Sequence, residues 1–102
     1  MAYSIIILTP VYTEVNEAFL YFESQSPGLG EKFYKAFLSC LQKLEINPFY
    51  FSFYSENYRR ITFQKFPYII LYKISEDKNV IITSVVYGGR HPDLISKRIS
   101  ER

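Results

Sequence analysis

Apolar residues follow two periods in this chain, one helical and one of strand type, and the switch falls near residue 48. Before the helical part, residues 3–8 form an apolar run of strand length, rich in β-branched side chains. Its lack of alternation predicts burial on both faces or a central place in a sheet. Thr9-Pro10 reads as a helix start, with Thr at the N-cap and Pro at the first helical position. Val11, Val15, Ala18 and Phe22 follow at spacings of four, three and four and make one stripe, with Phe19 beside it. Glu14 and Glu17 lie near the helix start, where the dipole favours them. Ser24-Gln25-Ser26-Pro27-Gly28 ends the helix. A second periodic segment runs from about 29 to 46, with Leu29, Phe33, Ala36, Phe37, Cys40 and Leu44 on its apolar face. Asn47-Pro48 stops it, because the residue before a proline is pushed out of the helical region. Two helices with a short connection form an antiparallel hairpin, and each apolar stripe needs a cover.

The second half supplies that cover. Residues 58–64, 67–74 and 80–87 read as strands, with a polar hairpin loop at 75–79 and Gly88-Gly89 breaking the last. Pro67 cannot donate to a ladder, so it separates two strands, with Phe66 and Tyr68 flanking the corner. Alternation places Arg59 with Ile61 and Phe63 on one face, and Arg60 with Thr62 and Gln64 on the other. With Ile61 and Phe63 toward the core, Arg60 points at whatever the open face of the sheet meets. Residues 49–58 are Phe or Tyr at six of ten positions. They read as a lid folded over the sheet edge or as a landing patch for a partner. From Pro92 a short terminal helix or tail follows, with Leu94, Ile95 and Ile99 on one side and Lys97, Arg98 and Arg102 exposed. The expected architecture is a two-layer α+β domain, β-α-α-β-β-β plus that terminal piece, with the helical hairpin packed on a mainly antiparallel sheet. Its far face is left partly open and carries Arg60.

Composition sharpens this. A length of 102 residues suits one domain spanning 1–102, and 48% apolar with 19% aromatic content excludes disorder. The net charge of +2 hides a division. Residues 1–57 hold three Lys/Arg against six Asp/Glu, and residues 58–102 hold nine against four. The C-terminal half therefore suits an anionic partner, either nucleic acid or an acidic protein segment. The single Cys40 excludes an intramolecular disulfide and, on an apolar helical face, reads as packing. The N-terminal residues lack a positive leader and no segment is long enough to span a bilayer, so a cytoplasmic protein without membrane contact is expected.

The chemistry-bearing residues are few. One histidine and one cysteine, far apart, make no ligand cluster, so neither metal nor cofactor is expected. No phosphate-binding glycine loop or nucleophile elbow is present. One constellation remains: Arg59-Arg60 at the start of one strand, and Tyr87-Gly88-Gly89-Arg90-His91-Pro92 at the end of another. Converged, it would suit metal-independent RNA cleavage, with arginines on the phosphate and His or Tyr moving protons. In a three-strand meander, however, the start of the first strand and the end of the third lie at opposite ends.

The chain resembles the RelE/ParE superfamily of toxins from type II toxin–antitoxin, or plasmid stabilisation, modules. The pieces that carry the resemblance run in order over nearly the whole length. They are Gln25-Ser26-Pro27-Gly28-Leu29-Gly30 with Phe33, Asn47-Pro48, Arg59-Arg60, residues 66–72 (Phe-Pro-Tyr-Ile-Ile-Leu-Tyr) and residues 85–92 (Val-Val-Tyr-Gly-Gly-Arg-His-Pro). The resemblance implies a cytoplasmic toxin held silent by a cognate antitoxin, with operator DNA contacted through that antitoxin. The Phe66-Pro67-Tyr68 turn looks closer to ParE-like members, which poison DNA gyrase by binding and need no catalytic centre. RelE-like members instead cut mRNA on the ribosome. On that alternative, Arg60, Tyr87, Arg90 and His91 are the candidate catalytic set. A third alternative is an inactive member that only binds antitoxin. The expected target- or antitoxin-facing positions are Arg59, Arg60, Tyr68, Arg90, His91, Phe51, Phe53 and Tyr54.

Overall fold

The computed structural model describes residues 3–55, 57–89 and 92–100. Its elements run β1 (Ser4–Ile7), α1 (Thr9–Gln25), α2 (Leu29–Ile46), β2 (Phe53–Ser55), β3 (Tyr58–Thr62), β4 (Tyr68–Ile74), β5 (Asn79–Tyr87) and α3 (Pro92–Ser100). The five strands form one sheet in the order β1-β5-β4-β3-β2. β1 pairs parallel with β5, and every other pairing is antiparallel. The expected α+β architecture, a helical hairpin on a mainly antiparallel sheet, is the one observed.

The helices form for the reasons the pattern gives. Val11, Val15 and Ala18 of α1, and Phe33, Phe37, Cys40 and Leu44 of α2, are buried against Ile61, Phe63, Ile70, Tyr72, Ile82 and Val85 of the sheet. Phe33 lies at the centre, stacked on Phe63 at 4.9 Å and edge-on to Phe66 and Tyr68. The turn between the helices needs glycine twice. Gly28 takes φ of +85°, which a side chain rarely adopts, and a Cβ on Gly30 would sit 2.6 Å from the Phe19 carbonyl oxygen. Glu23 of α1 closes the turn, because its carboxylate accepts from the N–H groups of Gly28 and Gly30 at 3.0 Å and so caps the start of α2.

Four details depart from the sequence expectations. The N-cap of α1 is Leu8, with no side-chain cap bond, so the helix begins one residue early at Thr9. β1 is an edge strand rather than a central one, and its residues alternate between exposed and half-buried. The core takes up Ile5 and Ile7 on one face, while Ile6 on the other is 43% exposed. The aromatic segment is partly a strand: β2 adds to the sheet edge, with Phe53 opposite Arg59 and Ser55 opposite Tyr58. Finally, the far face of the sheet is substantially covered. Ile95 and Ile99 of α3 are buried on Ile69, Leu71 and Val86, with Tyr54 and Tyr58 packed alongside. Leu94, expected beside them, is 59% exposed instead.

Candidate interaction surface

β3 is the element that arranges the two arginines. Arg59 faces Tyr72 across the ladder and Arg60 faces Leu71. Arg59 is half-buried and works inside the fold. Its guanidinium Nη1 donates to the carbonyls of Phe51 at 2.7 Å and Phe49 at 3.2 Å. The same group stands 3.9 Å above the Phe53 ring, a cation–π contact that fastens the aromatic segment to β3. Phe51 is half-buried, and Phe53, though 58% exposed, carries this guanidinium. Tyr54 packs toward the α3 layer. Arg60 is exposed and enters no ion pair among the described residues, and its N–H donates to the Ser52 carbonyl at 3.0 Å.

Tyr68 and Tyr87 face each other across β4 and β5, with ring centroids 6.1 Å apart. Tyr68 is half-buried among Phe22, Phe33 and Phe63, while Tyr87 is 47% exposed. The ladder registers keep Tyr87 away from the arginines. Arg60 pairs with Leu71, Leu71 with Ser84, and Tyr87 lies three residues farther along β5. Strand geometry then separates Arg60 and Tyr87 by about 14 Å at Cα. Arg90 and His91 lie outside the described residues.

The sequence reading missed a buried carboxylate. The Glu14 side chain is only 9% exposed, and it accepts from Arg98 Nη1 at 2.6 Å. It also accepts from the Val85 N–H at 3.0 Å and the Ser84 hydroxyl at 3.2 Å. The reason is topological. β1 pairs with β5 only as far as Ile82, and a β-bulge follows, with Thr83 donating to the Leu71 carbonyl at 2.9 Å. Past the bulge β5 has no strand neighbour on that side among the described residues, and Glu14 takes the place of a ladder acceptor. Glu14 is therefore a tertiary acceptor rather than the helix-dipole partner expected. Arg98, expected to be exposed, is half-buried against it. The signal available in sequence was a polar pair, Thr83-Ser84, inside an otherwise apolar strand. A cleft of about 230 Å³ opens beside this cluster, lined by Glu17, Tyr21, Tyr68 and Tyr87 among others.

Two further features were not foreseen. An apolar groove of about 380 Å³ runs between the helices, lined by Tyr12, Val15, Phe19, Tyr34, Leu38 and Leu41 among others. Along the other side of α2, Lys32, Lys35, Lys43 and Lys65 line a cleft of about 280 Å³. Burial pushes the Cys40 thiol at its base up to about 11, less a contribution from Lys43. The thiol donates to the Thr62 carbonyl at 3.9 Å, so Cys40 packs, as its place on the apolar stripe suggests. No group of three His, Cys, Asp or Glu among the described residues could hold a metal. No helix among them is long and apolar enough to cross a membrane.

No protein-family model matches the chain, and no curated protein matches it by sequence. Solved structures do match. A chain of the chromosomal ParDE toxin–antitoxin system from P. aeruginosa superposes with a TM-score of 0.73 at 10% identity, over 84% of this chain and 96% of that one. A mutant of the E. coli toxin RelE in the free state gives 0.66 at 15% identity, over 99% and 98%. The archaeal RelE–RelB complex from Pyrococcus horikoshii OT3 gives 0.57 at 19% identity, over 89% and 100%. The helical hairpin on a mainly antiparallel sheet described above is thus the RelE/ParE toxin fold.

Proposed function

From this fold we propose that the chain is the toxin of a type II toxin–antitoxin module of the plasmid-stabilisation kind, acting in the cytoplasm by binding DNA gyrase and neutralised by a cognate antitoxin. The observation that carries the reading is the shared fold with a ParDE-system chain and with RelE, covering most of both partners. Two of the similar structures are toxin–antitoxin assemblies by description, which supports an antitoxin partner here. Operator DNA is then reached through that antitoxin.

The choice of gyrase rests on geometry. A metal-independent nuclease needs its phosphate clamp and proton donor on the same phosphate. Arg60 and Tyr87 lie on opposite faces of the sheet, since Arg60 pairs with Leu71 of the cluster under α3 and Tyr87 pairs with Tyr68 of the cluster under the helical hairpin. Arg60 instead offers an exposed cation on a rigid strand, suited to a protein surface. A ribosome-dependent mRNA endoribonuclease is the second reading, with Arg60 and Arg90 on the phosphate and Tyr87 or His91 as proton donor. It is favoured by the likeness to E. coli RelE, which extends over 99% of this chain.

Expression of the chain alone separates these readings when gyrase supercoiling and ribosome-bound message are followed together. Blocked supercoiling with intact message is the expected result. Cut message with normal gyrase supports the nuclease, and harmless expression supports an inactive antitoxin-binding member.

A further inference from the structure

Beyond Arg60, the backbone of β3 runs past the end of β2. The last bond on that side is from the Arg60 N–H to the carbonyl of Ser52, just before β2, so the edge formed by Ile61 and Thr62 of β3 and by residues 63–64 after it has no strand alongside among the described residues. α2 passes alongside and turns Lys32, Lys35 and Lys43 toward that edge, while Lys65 closes the far end. The cleft they line shares Lys43 with a second and wider one, of about 610 Å³, lined by Tyr50, Phe51, Ser52, Arg60, Ile61 and Thr62. The two adjoin at Lys43 as a groove bordered by four lysines on the α2 side, with Arg60 at the β3 rim of its wider end, and none of the described residues lining it is acidic.

That density is unlike the rest of a chain whose net charge is only +2. Lys35 has a helical partner in Glu31 at 3.3 Å, but both side chains are about 70% exposed, and such a pair gives way readily to a better anion. Lys32 and Lys43 are eleven residues apart on one helix, a distance of about 16 Å along its axis. The groove is therefore long enough for successive charges of a polymer rather than for one small anion.

Its wider end argues for the kind of polymer. An acidic peptide adding as a strand would need a narrow slot beside β3. The recess between Tyr50 and Arg60 is instead of the size that holds a small ligand. Tyr50 there is 78% exposed, set edge-to-face with Phe51 at 5.2 Å, which leaves it open to a stacking base. Lysines along a backbone track with an exposed aromatic platform at its end form the usual surface for single strands.

We infer that the groove between α2 and the free edge of β3 binds single-stranded nucleic acid, with Lys32, Lys35, Lys43 and Lys65 on its phosphates and Tyr50 against a base. This site stands apart from the toxin reading, since a chain that merely held an antitoxin would still carry it.

The test is fluorescence anisotropy of the purified chain with labelled RNA and DNA decamers of one sequence. Four lysine–phosphate contacts predict that affinity falls about 50-fold between about 50 and about 200 mM salt. Lys32→Ala with Lys43→Ala should lower the salt slope by about 1.4. Tyr50→Ala should weaken binding about tenfold with the slope unchanged. Lys97→Ala, on α3, should leave binding as it is. Circular dichroism checks that each variant is folded. Tight binding of either decamer with this pattern supports the site, and the tighter of the two identifies the strand. Absence of binding at low salt overturns it. So does a loss as large in Lys97→Ala as in the lysine pair, or displacement of the decamer by polyglutamate at equal charge concentration.

Discussion

Arg98 of α3 donates a 2.6 Å hydrogen bond to the Glu14 carboxylate of α1, so the last helix is tied to the first across the end of β5. The tie holds α3 in place over Ile69, Leu71 and Val86, which would otherwise face water. Replacing Glu14 with Ala leaves the Ser84 hydroxyl, the Val85 N–H and the Arg98 guanidinium short of an acceptor. A loss of about 3 kcal/mol is expected, against about 1 kcal/mol for Arg98→Ala, where the more exposed partner is the one removed. Urea unfolding midpoints for the two variants measure the asymmetry, and equal losses would contradict it.

Gly30→Ala tests the helix contact. In an ordinary helix this change stabilises by about 0.5–1 kcal/mol. Here the new Cβ would lie 2.6 Å from the backbone oxygen of Phe19, and backbone cannot swing aside as a side-chain end can. The expected outcome reverses the usual sign, with a loss of about 2 kcal/mol as the helices separate. Thermal melts decide it.

Arg59→Lys is not conservative. The guanidinium reaches two carbonyls and lies over the Phe53 ring at once. An ammonium cannot reproduce that fork. A loss of about 1–2 kcal/mol is expected, with faster proteolysis of residues 49–55 than elsewhere in the chain. Unchanged protease sensitivity would show that Arg59 does not brace the segment.

Alkaline pH gives a further check. Burial raises the Tyr72 hydroxyl to about 12 from 10.0, partly offset by Arg59, and the Cys40 thiol to about 11 from 9.0. Both groups are neutral in folded and unfolded chains below about pH 8, so they add no slope there. From about pH 8 to about pH 12 the unfolded chain releases these protons first, the thiol before the phenol, and stability falls as pH rises. Tyr72→Phe should flatten the part of the fall above pH 10, at the cost of the 2.6 Å bond from the Tyr72 hydroxyl to the Pro48 carbonyl. Urea midpoints across this range, compared with the parent chain, test the sign.

Periodicity read the helical hairpin well because Val11, Val15, Ala18, Phe33, Phe37, Cys40 and Leu44 repeat at helical spacing and have one place to go. It read α3 only in part. Ile95 and Ile99 are four residues apart, and nothing local tells a covering helix from a tail. The cover becomes visible only through Leu71 and Val86, which are distant in sequence. β2 was hidden for a different reason: its Phe and Tyr residues are strand formers, yet a dense aromatic stretch reads equally as a lid. The lysine groove escaped notice because Lys32, Lys35 and Lys43 lie in the acidic half, where a charge count conceals them. Their grouping depends on the helix face and on where β2 stops. Arg60 was legible from strand alternation alone, since Ile61 and Phe63 had to be inside.

The sharpest measurement is a DNA gyrase supercoiling assay with the purified parent chain and with Arg60→Ala, an exposed-site change that leaves the fold intact. The expected result is dose-dependent inhibition by the parent and at least a tenfold weaker effect from the variant. Supercoiling that proceeds unchanged in the presence of the parent chain, or inhibition equally strong without the Arg60 guanidinium, would contradict gyrase binding through the exposed face of β3.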